Sequence, residues 1–471
     1  MMASLGRGDG VSSRIAVSAL GVLTAILVMG AGTAPATPTK AALPRSLLLI
    51  SLDTTRSDHL HCYGYPLPTT PALDRLASEG ILFENTFTQA VNTGPSHATM
   101  FTGLMPMAHQ VRINGVPLSP EFETLATLLA KAGYRAGAFV SGYTMLASQS
   151  GLNRGFEVYD DAFTVQDRRA AETVDRAIAW LKGLPSDKPY FLFVHLFDPH
   201  GKYDPPPGFA ERFRTGKYEP IARADLVPEY QRLELPGGGT SLDPADYISR
   251  YDGEIAYADS QIARLLEQIG DKPVVVFTSD HGETLVERDY YFSHGARLND
   301  EALRVPLIVR APGLALKGRR IGGLARLVDV LPTALSLLGQ AVPPRLAGRS
   351  LVPFARLGAI PPGTPVITEG RAAPMTVGGR RLTFPLKGLI FSARGDRFKL
   401  ISYPTVSGTV YELFDLEKDR GEMNPTIGAE AARASPVFQA LDLYLVSGHL
   451  PESPELDEEA KKKLRSLGYV N

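Results

Sequence analysis

Two apolar runs leave this chain little choice of architecture. Leu47-Leu48-Leu49-Ile50-Ser51-Leu52 and Pro273-Val274-Val275-Val276-Phe277-Thr278 are apolar almost throughout, with no alternation of polar and apolar positions. That pattern is expected of strands covered on both faces in a parallel sheet. Each run stops at an acidic residue, the first at Asp53 and the second at Ser279-Asp280-His281-Gly282-Glu283. Open α/β sheets form their sites at the C-terminal strand ends. Two carboxylates and an imidazole, more than 200 residues apart, are therefore expected on one sheet edge.

The rest of the chain supports that architecture. Helices are expected over Pro71–Glu79, Glu121–Ala132 (closed by Gly133), Arg168–Leu181, Tyr247–Ile269 and Leu327–Leu338. Strands are expected over Leu82–Phe87, Tyr134–Val140, Tyr190–Phe197 and Val305–Arg310. Strands alternating with helices imply a doubly wound, mostly parallel central sheet with helices on both faces. Residues 204–243 are rich in Pro, Gly and charge without periodicity, and read as a long surface insertion that shapes access to a site. Beyond Pro361 short strands follow at Leu386–Ser392, Phe398–Ser402 and Thr409–Phe414, then C-terminal helices. The expected organisation is an α/β catalytic domain over residues 45–355 and a smaller C-terminal α+β subdomain over residues 360–471.

Composition removes several function classes. With 49 Lys and Arg against 50 Asp and Glu, the chain has no overall charge bias toward nucleic acid or anionic membranes. A single cysteine, Cys62, excludes an internal disulfide framework and a cysteine-based zinc site. At the N-terminus Arg7 and Arg14 precede an apolar run from Ile15 to Ala31, followed by Ala34-Pro35-Ala36. This is the pattern of a secretory signal over residues 1–36, and it predicts export to the periplasm or medium. The alternative is an uncleaved N-terminal anchor, the one case in which contact with a membrane is expected.

The segment Asn92-Thr93-Gly94-Pro95-Ser96-His97 through Gly103 reads as a short helix with Pro95 in its first turn. Thr93 then stands at a helix N-terminus, where amide N–H groups and the helix dipole favour an oxyanion. It is either a helix cap, a common role for Thr, or a nucleophile facing an anionic substrate. Beside Asp53, Asp280 and His281 its hydroxyl would complete a donor set for one divalent ion. Mn²⁺ and Zn²⁺ suit the imidazole better than Ca²⁺, which prefers oxygen and stays possible.

Read as an ordered set, these pieces resemble the sulfatase family of the alkaline phosphatase superfamily. The matching stretches are Leu52-Asp53-Thr54-Thr55-Arg56-Ser57-Asp58, Thr93-Gly94-Pro95-Ser96-His97 with Thr102-Gly103, and Phe197-Asp198-Pro199-His200. Ser279-Asp280-His281-Gly282-Glu283, Ser293-His294-Gly295, Leu303-Arg304-Val305-Pro306 and Tyr411-Glu412-Leu413-Phe414-Asp415-Leu416 follow in the family's order. The resemblance implies an alkaline-phosphatase-like fold and an ester hydrolase. It implies that Asp53, Asp280 and His281 hold the metal with Thr93, and that Thr93 takes the nucleophile position. His200 matches the histidine that assists the substrate anion or leaving group. His294 falls where relatives keep a Lys or His near the transferring group, and His97 stands where the signature has Arg. His195, inside its strand, alternates away from the sheet end and reads as a satisfied core histidine. His59, His61 and His109 read as rim residues.

The departures carry information too. Sulfatases of the well-known type have a Cys or Ser, matured to formylglycine, where this chain has Thr93. The usual paired aspartates are Asp53-Thr54 here, and the family's Gly-Lys-Trp-His segment is absent near Ala138–Ser141. A formylglycine hydrate expels sulfate by reforming its aldehyde, whereas a Thr ester has to be cleaved by water. The expected substrates are therefore small-molecule, glycan or lipid esters of sulfate or phosphate. Two other readings stay open: a phosphotransferase of the phosphoglycerol or phosphoethanolamine type using the same site, and a degenerate, non-catalytic binding protein.

Overall fold

The computed structural model describes residues 46–447 apart from 164–166, 289, 374, 378–379, 386–387, 428–431 and 434, together with 458 and 462. The signal or anchor expected over residues 1–36 lies outside the described residues, as does the chain beyond Ser447 apart from residues 458 and 462. Among the described residues no helix is long and apolar enough to cross a membrane.

Eight strands build the central sheet: β1 (Leu47–Leu52), β2 (Ile81–Phe87), β3 (Arg135–Phe139), β4 (Val158–Asp160), β5 (Tyr190–Leu196), β6 (Val274–Thr278), β7 (Arg304–Arg310) and β8 (Arg319–Arg326). Their order is β4-β3-β5-β1-β6-β7-β2-β8. All neighbouring pairs are parallel except those of β7, which runs antiparallel to both β6 and β2. The apolar run β1 lies at the centre, with every residue buried. Its odd-numbered residues pack with Phe191, Phe193, Met100 and Phe101 on one face. Its even-numbered residues pack with Leu192, Val194, Val174 and Ile262 on the other. Two covered faces explain why the run never alternates.

The main helices are α1 (Pro71–Glu79), α2 (Thr93–Thr102), α3 (Leu125–Lys131), α4 (Ala170–Lys182), α5 (Pro244–Ile269), α6 (Val330–Leu337) and α7 (Pro436–Ser447). Two differ from the sequence expectation for reasons of capping. Thr124 and Thr127 form a capping box, so α3 starts at Leu125 rather than at Glu121. Asp243 caps Ala245 N at 2.9 Å and Pro244 opens the helix, so α5 begins before Tyr247. Gly137 in β3 has its own reason: a Cβ there would lie 2.7 Å from the Trp180 ring of α4.

The C-terminal subdomain is a five-stranded antiparallel sheet of order β15-β14-β13-β12-β9. Its strands are β9 (Val366–Arg371), β12 (Leu389–Arg394), β13 (Phe398–Thr405), β14 (Gly408–Asp415) and β15 (Thr426–Ile427). A hairpin of β10 (Met375–Val377) and β11 (Arg380–Leu382) stands apart from it. The 204–243 insertion contains no strand among its described residues, only short 3-10 turns and one isolated bridge between Glu234 and Thr240. It is nevertheless anchored: Ile221, Val227 and Leu233 share a buried cluster with Tyr203, Tyr247, Tyr251, Leu285 and Phe292.

Candidate active site

The loops leaving β1, β5 and β6 are stitched together at one sheet edge. Asp53 N donates to Leu196 O at 2.9 Å, Thr54 N to Asp280 Oδ1 at 3.2 Å and Thr55 N to Ser279 Oγ at 2.9 Å. Helix α2 is fastened to the same point, because Ser96 Oγ donates to Asp280 O at 2.8 Å. Thr54 has φ of 50°, a left-handed backbone that a β-branched residue adopts at a cost of order 1–3 kcal/mol. Tyr251 Oη donates to its carbonyl at 2.8 Å and helps to hold it there.

Asp53, Asp280 and His281 meet at this edge, each offering a ligand atom within 4.8 Å of the others. His281 Nε2 lies 3.8 Å from Asp53 Oδ1 and 3.4 Å from Asp280 Oδ2. All three side chains are buried. Burial and the neighbouring Asp280 push the Asp53 carboxyl well above its ordinary range. Burial acts on Asp280 in the same direction, but His281, His97 and His195 outweigh it and bring that carboxyl down to about 2. Among the described residues both Asp53 oxygens, Asp280 Oδ2 and His281 Nε2 make no hydrogen bond. Buried polar atoms are normally partnered. Two carboxylates and one imidazole left without partners on a common point fit a divalent cation.

Thr93 is not the helix cap, and its backbone is linked to this edge through His97, which donates to Thr93 O at 2.8 Å and lies 3.8 Å from Asp280 Oδ2. Asn92 occupies the cap position, without a side-chain capping bond, and Thr93 is the first residue of α2. The Thr93 side chain is fully buried and its Oγ1 has no hydrogen-bond partner among the described residues. The helix start offers fewer amides than the sequence suggests. Pro95 has no N–H, and Gly94 N is taken by Asn114 Oδ1 at 2.8 Å. Asn114 itself escaped sequence reading because Asn-Gly reads as a turn; its buried Nδ2 is a donor without a hydrogen-bond partner among the described residues.

His97 lies one turn into α2, beneath the cluster. Its Nδ1–H donates to Thr93 O at 2.8 Å and its Nε2 accepts from Ser51 Oγ at 2.9 Å. Both nitrogens are thus engaged inside the protein, and burial lowers the imidazole to about 4. Neutral His97 replaces no Arg charge; it fixes the first turn of the helix that carries Thr93.

His200 and His294 stand on the other side. Their rings are 5.1 Å apart, and the His294 ring is 4.3 Å from that of His281. Burial lowers His200 to about 3 and His294 to about 4. Glu283, which sequence reading quoted in a motif without a role, lies with Oε1 at 3.0 Å from His294 Nδ1. Tyr203 Oη donates to its Oε2 at 3.1 Å. Burial raises the Glu283 carboxyl to about 7.

His195 corrects the sequence reading of a satisfied core histidine. In the parallel register it lies opposite Ser51, so it shares the face of Phe191, Phe193 and Asp53 rather than turning away. Its Nε2 is 3.3 Å from Asp53 Oδ2. Neither ring nitrogen has a hydrogen-bond partner among the described residues.

The three expected rim histidines are placed differently. His59 is buried with Nδ1 2.6 Å from Asp252 Oδ1, and His61 is exposed beside Asp74. His109 is buried behind α2. Val111 N–H donates to its Nδ1 at 3.2 Å, so its Nε2–H donates to Thr99 Oγ1 at 2.9 Å. Burial lowers His109 to about 3. The unfolded chain takes up a proton near pH 6.5 that the folded one refuses, so stability falls as pH drops from about 6.5 toward 3. The expected loss over that window is of order 4–5 kcal/mol. Urea melts of wild type and His109→Gln should show a shallower acid slope in the variant; equal slopes would refute the assignment.

A mostly parallel α/β sheet with a buried Asp/Asp/His cluster at its strand ends is the alkaline-phosphatase-like architecture. A protein-family model described as Sulfatase matches residues 45–340. The chain belongs to the sulfatase family, and with it to the sulfuric ester hydrolases. It is similar to the multifunctional alkaline phosphatase superfamily protein PehA of Trinickia caryophylli, at 28% identity over 67% of this chain and 77% of that protein. It is also similar to an N-acetylglucosamine-6-O-sulfatase of Bacteroides thetaiotaomicron, at 24% identity over 84% of this chain and 86% of the relative. Among solved structures, the fold matches the protein BT4656 in complex with its substrate D-glucosamine-2-N,6-O-disulfate with a TM-score of 0.70. That match is at 22% identity and covers 90% of this chain and 98% of the other. The phosphonate monoester hydrolase of Agrobacterium radiobacter matches with a TM-score of 0.66 at 24% identity, covering 86% and 95%.

Proposed function

We propose that this chain is an exported, metal-dependent esterase that cleaves sulfate or phosphate esters through Thr93. The observation that carries the reading is the buried Thr93 hydroxyl, without a hydrogen-bond partner among the described residues, on a helix tied through Ser96 to Asp280 of the Asp/Asp/His cluster. A hydroxyl in that position is costly as structure, about 1–3 kcal/mol, and useful as a nucleophile. Export rests on the sequence pattern of residues 1–36.

Asp53, Asp280, His281 and Thr93 would hold the divalent ion, with Mn²⁺ or Zn²⁺ suiting the imidazole. When bound, such an ion lowers the pKa of a coordinated hydroxyl and offsets the negative charge of the ester. Thr93 Oγ1 attacks sulfur or phosphorus; its bond to that atom forms as the bond to the alcohol oxygen breaks. His200, with His294 held by Glu283, starts neutral, takes the Thr93 proton and gives it to the departing oxygen. Asn114 Nδ2 is the donor offered to the spreading charge on the transferred group. Water then attacks the Thr93 ester, and its proton passes through the histidine to Thr93 Oγ1 as that oxygen is released. Because a Thr ester cannot eliminate as a formylglycine hydrate does, phosphate and phosphonate esters stand beside sulfate esters as substrates. Relatives named for sulfate and for phosphonate esters support keeping both.

The test is a panel of aryl sulfate, phosphate monoester, phosphate diester and phosphonate monoester, assayed with the metal-loaded protein. Turnover of at least one is expected. No turnover of any, together with no metal retained on purification, would favour a non-catalytic binding protein. Adding an acceptor alcohol separates a hydrolase from a phosphotransferase. Chelation is expected to abolish turnover and Mn²⁺ or Zn²⁺ to restore it. Saturating metal should raise stability by about 2.7 kcal/mol at one hundred times its dissociation constant. Undiminished activity after exhaustive chelation would refute metal dependence.

A further inference from the structure

We propose that His195 is a positioning residue for the metal site: its Nε2 faces Asp53 Oδ2 at 3.3 Å, short of a formed hydrogen bond, and as a donor-bearing neighbour sets that carboxylate's orientation, leaving Oδ1 turned toward His281. The inference rests on the reading of Asp53, Asp280 and His281 as metal ligands. His195 is not one of the three groups that converge within 4.8 Å; it stands behind Asp53, where a donor sets the carboxylate's orientation. Asp53 Oδ2 is the oxygen 3.3 Å from His195 Nε2, and Oδ1 is the oxygen 3.8 Å from His281 Nε2. The two oxygens therefore face different partners.

Three further observations show a built position. The ring is fully buried, yet neither nitrogen has a hydrogen-bond partner among the described residues, which a purely structural core histidine would not tolerate cheaply. The backbone beneath it is clamped: Ser141 Oγ donates to His195 O at 2.6 Å and accepts from Phe197 N at 2.9 Å. The space for the ring is reserved as well. A Cβ at Gly142 would lie 2.5 Å from Phe197 Cδ2 and 3.3 Å from His195 Cε1. The His97 ring, 5.1 Å away, closes the remaining side edge-on. The ends of β3 and β5 thus set His195, and His195 sets Asp53.

The role predicts which substitution is tolerated. His195→Gln places an amide donor near the Nε2 position, His195→Asn places it near Nδ1, and His195→Phe keeps the ring shape without a donor. Mn²⁺ affinity of each purified protein would be measured by titration calorimetry without substrate, beside the thermal midpoint of the metal-free form. Losing an outer partner of a ligand costs metal affinity about 10–100-fold. His195→Phe and His195→Asn are expected to weaken Mn²⁺ binding by that factor, and His195→Gln to recover most of it. Native affinity in the Phe or Asn variant, or equal weakening in Gln and Asn, would overturn the role; the Gln and Asn pair decides it even if the Phe variant fails to fold. Asp53→Ala is the separate control. If it retains Mn²⁺, the metal-site reading itself fails; if it loses Mn²⁺ while His195→Phe does not, only the positioning role falls.

Discussion

Thr93→Ala is expected to lower kcat by roughly 10³–10⁶-fold, the range seen when a nucleophile is removed and binding is left in place. The same substitution should leave the metal-free protein as stable as before, or slightly more so. Thr93 Oγ1 is buried with no hydrogen-bond partner among the described residues, so removing it relieves a desolvated hydroxyl instead of breaking a bond. Loss of turnover with an unchanged melting curve is the signature of a group kept for chemistry. A hydroxyl with a structural task would give the opposite, a lowered melting point with turnover retained. Thr93→Ser keeps the oxygen and is expected to keep turnover. Equal rates for wild type and Thr93→Ala would refute the nucleophile.

The largest expected loss of stability lies elsewhere, at the seam between the C-terminal sheet and the loop beyond His294. Lys399 on β13 is fully buried. Its Nζ is 2.7 Å from Asp300 Oδ1 and 2.8 and 3.0 Å from the two Glu422 oxygens. Asn299 Nδ2 adds a bond to Glu422 Oε2 at 2.8 Å, and Arg394 Nε lies 3.2 Å from Asp300 Oδ2. Burial and the neighbouring Asp300 carry the Glu422 carboxyl up to about 8 even with the lysine present. Lys399→Met leaves that carboxyl buried beside Asp300 without its ammonium. Breaking one side of a buried ion pair costs about 3–5 kcal/mol, read as a lowered chemical-denaturation midpoint. Replacing Lys399 and Glu422 together by Met and Gln should recover part of the loss, since no unpaired charge then remains. A Lys399→Met protein as stable as wild type would refute the role of the cluster.

How much of this was legible in the sequence depends on which physical signal each element emits. β1, β5 and β6 announce themselves because both their faces are covered, so position along the run hardly matters. β8 carries Arg319, Arg320 and Gly322-Gly323 at a sheet edge with only two of its eight residues buried, and β4 has three residues; neither has a pattern to read. β9 lies in the Pro-rich stretch after Pro361 and is recognisable only by its pairing with β12. The candidate ligands Asp53, Asp280 and His281 were legible because each directly follows a recognisable strand. His195 was misread because the face of a residue is settled by register, here Ser51 opposite His195, and register is not written in one strand alone. Glu283 and Asn114 act through partners, His294 and Gly94, that lie 11 and 20 residues away along irregular chain.

The satellite cluster under the 204–243 insertion ties that insertion to the strand ends. The cluster at the strand ends hangs on the central sheet, whereas the insertion rests on Tyr247, Tyr251 and Phe292 through Ile221, Val227 and Leu233. Its footing is separate from the main core on either face of the sheet. That footing also reaches the strand ends, since Tyr251 of the same cluster donates to Thr54 O and Tyr203 to Glu283. Loosening Ile221, Val227 or Leu233 would therefore be felt at the strand ends through those two tyrosines.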